Sequence, residues 1–123
     1  MTIRSFPDPG ARRNVSRGEV YICDMETAGG QMWKNRPVLV VQNDRGNLYS
    51  ADTIVAGLRT GGGLFLPVRV RVSAGTAGLP KDSWIDAGHL LTLKKDQLGA
   101  FIGRMPAEVM EAVDRALRIS LAL

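Results

Sequence analysis

The sequence predicts a mainly β fold with one helix: a small SH3-like barrel of antiparallel strands capped by a C-terminal helix. Its apolar runs are short, rich in Val, Ile and Leu, and separated by breaks rich in Gly, Asn and Asp. Residues 66–72 alternate strictly, with Leu66, Val68, Val70 and Val72 on one face and Arg69 and Arg71 on the other. Sustained helical periodicity is confined to the C-terminal stretch.

Taken in order, residues 1–16 carry Pro7, Pro9, Gly10, Arg12 and Arg13 without periodicity and read as a flexible arm; residues 17–123 form the folded domain. Residues 19–25 are a first strand rich in Val, Tyr and Ile. Residues 26–35, polar and containing Gly29 and Gly30, are a mobile loop. Trp33 in that loop either folds onto the core or stacks on a base. Pro37 then opens a fully apolar strand through Val41, since a missing N–H is harmless at a strand's first position. The chain turns at Asn43–Gly46, and Thr53–Leu58 is a further buried strand, ending in Arg59, Thr60 and three glycines. After the alternating strand, residues 73–82 are turn-rich. Short strands follow at 84–85 and 90–93, around Asp86, Ala87, Gly88 and His89, and again at 100–102. Pro106 opens the helix, with Val109, Val113, Ala116, Leu117 and Ser120 on one stripe. Glu111 with Arg115, and Asp114 with Arg118, are favourable i,i+4 pairs. The apolar Ile119, Leu121 and Leu123 exceed what one small barrel needs and point to self-association.

The 123 residues suit one domain, and 16 Lys+Arg against 12 Asp+Glu give +4, a mild preference for a polyanionic partner. A single Cys and a single His leave no disulfide framework and make a protein-built metal site improbable, so no metal or other cofactor is expected. No apolar run approaches membrane-spanning length and no secretory signal is evident, so a cytoplasmic protein is expected.

What remains is arginine, lysine, threonine and carboxamide groups on loops, a set that suits metal-free RNA cleavage. There the nucleophile is the substrate's own 2′-hydroxyl, and the protein need only position the phosphate, assist proton transfer and neutralise transition-state charge. Arg36, at the entry to the most apolar strand, presents a permanently charged donor fork to phosphate oxygens, or is simply a surface arginine. The Thr60 hydroxyl is a further donor. His89 is either a general acid or base or an incidental loop residue.

These residues also carry a family likeness. The segments RGEVY (17–21), KNRPVLVVQND (34–44), TIVAGLRT (53–60), LPVRV (66–70), GLPKDS (78–83), LLTLKKDQL (90–98) and the stretch 102–123 resemble the MazF/PemK toxins, the endoribonuclease half of bacterial toxin–antitoxin pairs. The resemblance implies residues 17–123 are one such toxin domain, acting as a homodimer and cleaving single-stranded RNA at a specific sequence. It also implies a cognate MazE-like antitoxin. The family's catalytic arginine falls on Arg36. Its catalytic threonine falls on Arg59 in an ungapped match, but a one-residue slip at a strand-end bulge brings Thr60 into place. Thr60 is therefore expected to be catalytic, with Arg59 as an extra phosphate contact; the alternative is that Arg59 has replaced the threonine and activity is altered or lost. Gln31, Lys34, Asn35, Arg59 and His89 are expected to contact RNA. Gln31 stands where relatives often carry glutamate, and Gly88–His89 where a carboxylate–glutamine pair is common, so the target sequence cannot be borrowed from a relative. The alternatives are a non-cleaving toxin of the same fold acting on DNA gyrase through its C-terminal helix, and a non-catalytic RNA-binding barrel.

Overall fold

The computed structural model describes residues 14–26, 29–61 and 63–123. The strands β1 (Glu19–Glu26), β2 (Met32–Val40), β3 (Asp52–Thr60), β4 (Arg69–Val72), β5 (Ser83–Lys94) and β6 (Phe101–Arg104) form one antiparallel sheet in the order β4-β5-β3-β2-β1-β6. A short helix α1 (Asp44–Tyr49) follows β2, and α2 (Ala107–Leu121) closes the chain. The sheet curls into a half-barrel because its edge strand β6 comes back against the Thr76–Gly78 turn between β4 and β5. That approach is backbone to backbone: a Cβ on Gly103 would lie 2.4 Å from the Ala77 carbonyl, so only glycine fits there.

The sheet separates two apolar layers. Inside the curl, Val20, Leu39, Ala56, Leu58, Val72 and Ile85 pack with Val113 of α2. On the other side, Tyr21, Cys23, Met25, Val38, Val40 and Val55 pack with Val15 and Leu98. This is the predicted mainly β architecture with its helical cap. The helical stripe is partly as expected, with Val113 and Ala116 buried and Val109 and Leu117 packed alongside.

Several local expectations are corrected. The predicted loop over 26–35 is mostly strand, since β1 runs to Glu26 and β2 starts at Met32; residues 27 and 28 lie outside the described residues. The turn after Asn43 is the start of α1, capped by the Asn43 side chain accepting from the Gly46 N–H at 2.8 Å. The alternating strand begins only at Arg69, leaving Leu64 and Phe65 exposed before it. The two short strands around Asp86–His89 are one continuous strand, β5, interrupted by a bulge. Asp114 is claimed by Arg17, at 2.6 Å, rather than by Arg118, so a tie from α2 to the barrel replaces the local helical pair. The expected arm lies outside the described residues up to position 13. Val15 is buried against the second layer, so the packed chain begins before Arg17.

Candidate active site

Two irregularities in the sheet build the site. The first is on β2, where Cys23 pairs with Arg36 but Met25 pairs with Trp33, so β2 carries one residue more than β1. Asn35 absorbs it in the left-handed region (φ 54), a conformation asparagine tolerates better than most residues. Its N–H donates to Asp24 Oδ1 at 3.0 Å, which pins the bulge. That N–H, helped by Lys34 Nζ at 3.4 Å, holds the Asp24 carboxyl below the usual aspartate range. The bulge returns Trp33 to the face of Arg36, and the Arg36 guanidinium lies 5.2 Å from the indole centroid.

The second irregularity is on β5. Ala56 pairs with Leu90 while Gly57 pairs with Asp86, so Ala87, Gly88 and His89 are extra residues on β5 with no counterpart on β3. The excursion lays the His89 ring over Gly57, where a Cβ would sit 3.6 Å from the imidazole Cγ. A glycine within the TIVAGL strand is the sequence signal for such a close approach.

Val38 pairs with Gly57, and alternation carries the same face to Arg36 on β2 and Arg59 on β3. Arg36, Arg59 and His89 accordingly line one notch with Trp33, Met25, Gly57 and Leu58. Its free space is about 10 Å3, enough for a single water-sized group and far too little for a base. Arg36 is half-buried and Arg59 exposed. Among the described residues no carboxylate pairs with either guanidinium, whereas Arg69 meets Asp86 at 3.7 Å and Arg71 meets Asp82 at 3.3 Å. The arginine pair of the alternating strand is thus largely neutralised, whereas the two guanidiniums at the notch are not.

The other expected residues distribute as follows. Thr60 is exposed, pairs with Ser83, and by alternation shares the face of Leu58 rather than that of Arg59; it is absent from the notch lining. No bulge separates Arg59 from Thr60, because β3 stays in regular register with β5 from Gly57 to Thr60. Gln31 is exposed at the entry to β2, and Lys34 and Asn35 are exposed at the bulge, where both engage Asp24. Cys23 lies beside Arg36 in β1, but burial, reinforced by Asp24, pushes its thiol up to about 11, so it stays protonated near neutrality. Met25, Gly57 and Leu58 were not singled out from sequence as site residues; they shape the notch without contributing a titrating group.

A curled antiparallel half-barrel carrying two unpaired guanidiniums, an imidazole and an indole at one notch defines a small-barrel protein with a permanently cationic site. The chain belongs to the PemK-like, MazF-like toxin family of type II toxin–antitoxin systems, whose model matches residues 16–121. It is 40% identical over 111 residues to endoribonuclease EndoA of Bacillus subtilis, covering 89% of this chain and 96% of that one. It is 38% identical over 112 residues to endoribonuclease MazF6 of Mycobacterium tuberculosis, covering 89% and 98%. Among solved structures, an endoribonuclease in complex with its cognate antitoxin from a mycobacterial species superposes with a TM-score of 0.73 at 28% identity, covering 89% of this chain and 96% of that one.

Proposed function

We propose that the protein is an endoribonuclease toxin that cleaves single-stranded RNA at a specific sequence, without a metal ion. The substrate's 2′-hydroxyl is the attacking group, leaving a 2′,3′-cyclic phosphate and a 5′-hydroxyl. The observation that carries this reading is the convergence of Arg36, Arg59 and His89 on one notch where, among the described residues, no carboxylate pairs with the guanidiniums. A notch of about 10 Å3 accepts one phosphate oxygen and leaves the bases outside, with Trp33 beside it as a stacking surface. Arg36 binds the non-bridging oxygens as a rigid fork, held in place by its own strand and by the indole. The second donor comes from the end of β3. Alternation favours Arg59 for it, and Thr60, one residue further on, is the competing candidate.

The protein acts in the cytoplasm as a homodimer. A groove of about 380 Å3 between β4 and α2, lined by Phe65, Val70, Ala116 and Ile119 together with Arg69, Arg71 and Arg115, suits a second copy, and Leu121 and Leu123 at the end of α2 are exposed. A cognate antitoxin fits a basic toxin physically, because an acidic disordered segment that folds on binding covers an uncompensated cationic notch.

Incubating the purified protein with long single-stranded RNA in excess chelator tests the reading. Discrete cuts with 5′-hydroxyl ends, abolished by Arg36→Ala, are expected. Intact RNA with inhibited gyrase, or retarded but uncut RNA, would replace the reading with one of its rivals.

A further inference from the structure

We propose that His89 is the general base of the RNA cleavage assigned above, an inference that rests on that assignment. Three features of the notch lead to it. The β5 bulge places the imidazole over Gly57, in the same notch as the guanidiniums of Arg36 and Arg59. Arginine is a donor only and stays charged, indole is a donor only, and the remaining lining is Met25, Gly57 and Leu58. Among the described residues that line the notch, the imidazole is therefore the one group able to accept a proton at ordinary pH. Cys23, the other nucleophile-bearing neighbour of Arg36, is held as a thiol.

The division of labour follows from this donor set. The neutral imidazole takes the proton of the 2′-hydroxyl as the O2′–P bond forms. The P–O5′ bond breaks, the 5′ oxygen leaves and takes its proton from water, and the imidazolium returns its proton to solvent. Charge on the phosphorane oxygens is met by Arg36 and Arg59.

The charged groups facing the ring are these two arginines, from β2 and β3, while β1 contributes only Met25 to the notch. On its own strand Asp86 is engaged by the Gly88 N–H at 2.9 Å and by Arg69 of β4. Asp24 of β1 is held by Asn35 and Lys34. No carboxylate among the described residues that line the notch competes for the base role.

The test is the single-turnover cleavage rate of full-length protein on a fixed RNA, measured from mildly acidic to mildly alkaline pH. The wild-type rate is expected to rise with pH and then level off. His89→Gln should be about 10²–10⁴-fold slower and flat over that range. Its affinity for the same RNA carrying a 2′-deoxy at the cut site should fall far less than the rate does. As a second variant, His89→Ala should regain part of its rate on addition of free imidazole, which loss of a merely structural ring would not allow. An unaltered rate and pH slope in His89→Gln, a His89-dependent rate that falls as pH rises, or a defect wholly in RNA affinity each overturns the base assignment while leaving the nuclease standing. Wild-type protein that cuts no RNA at any pH overturns both.

Discussion

Arg36 and Arg59 face the same space, and among the described residues no carboxylate neutralises them, which fixes what each substitution should do. Arg36→Ala is expected to lower the cleavage rate at least about 100-fold, and Arg36→Lys to restore little of it, because a point charge does not reproduce a planar fork. Rates measured on one RNA check both. The end of β3 is tested by a pair of variants. Arg59→Ala should lose more than tenfold, about 1.4 kcal/mol or more of transition-state stabilisation, and Thr60→Ala less than that. The reverse order would return the catalytic role to Thr60. The signal for Arg59 was present in the sequence as an ungapped match. Its side of the strand was not, because it depends on the register of β3 against β2.

At the scale of elements, the bulges of β2 and β5 do the positioning. Asn35 at φ 54 is tolerable for asparagine and natural for glycine, so Asn35→Gly should be nearly neutral, whereas a β-branched Asn35→Val should destabilise by about 1–2 kcal/mol, read from thermal or denaturant unfolding. The bulge is also acid-sensitive. Asp24 has its carboxyl lowered in the folded state by the Asn35 N–H, so its stabilising contribution is present above the ordinary aspartate value. That contribution is lost as pH falls through the depressed one. Amide exchange at Asn35 should accelerate in that acid window and lose its pH dependence in Asp24→Asn. At the other end of the sheet, Gly103→Ala pushes β6 off the Thr76–Gly78 turn and should cost about 1–3 kcal/mol.

At the scale of the whole molecule, the cationic notch and the groove between β4 and α2 are separate sites with no lining residue in common. RNA affinity should fall steeply with salt, with a slope reduced in Arg36→Ala, since each neutralised phosphate releases counterions. The groove between β4 and α2 makes a separate prediction: Ile119→Arg adds a fourth cation to the groove beside Arg69, Arg71 and Arg115 and should convert a dimer to monomer by light scattering while leaving the fold intact by circular dichroism. Lys95, fully buried, donates from Nζ to the Asn47 carbonyl and ties α1 to the turn after β5. Burial lowers its pKa, so the unfolded chain binds the extra proton and stability should rise as pH climbs toward the ordinary lysine value. Lys95→Met should remove that rise in alkaline denaturant titrations.

Periodicity and composition by themselves determined the mainly β class and the terminal helix, and they singled out Arg36 as a candidate. These depend on local backbone preference and on which residues must be buried, both written in short windows of sequence. Motif likeness determined the family. The tertiary structure decided the rest. Residues 32–35 became strand because Asn35 absorbs an extra residue and lets Trp33 and Met32 pair with β1. The arginines of β4 were neutralised by Asp82 and Asp86, distant enough in sequence that no window joins them. His89 reached the notch only because three residues of β5 have no partner on β3. A strand's register against its neighbour is a property of two segments at once. A single residue of slip reverses the face a side chain takes, so the composition of the notch could be settled only once the sheet had closed.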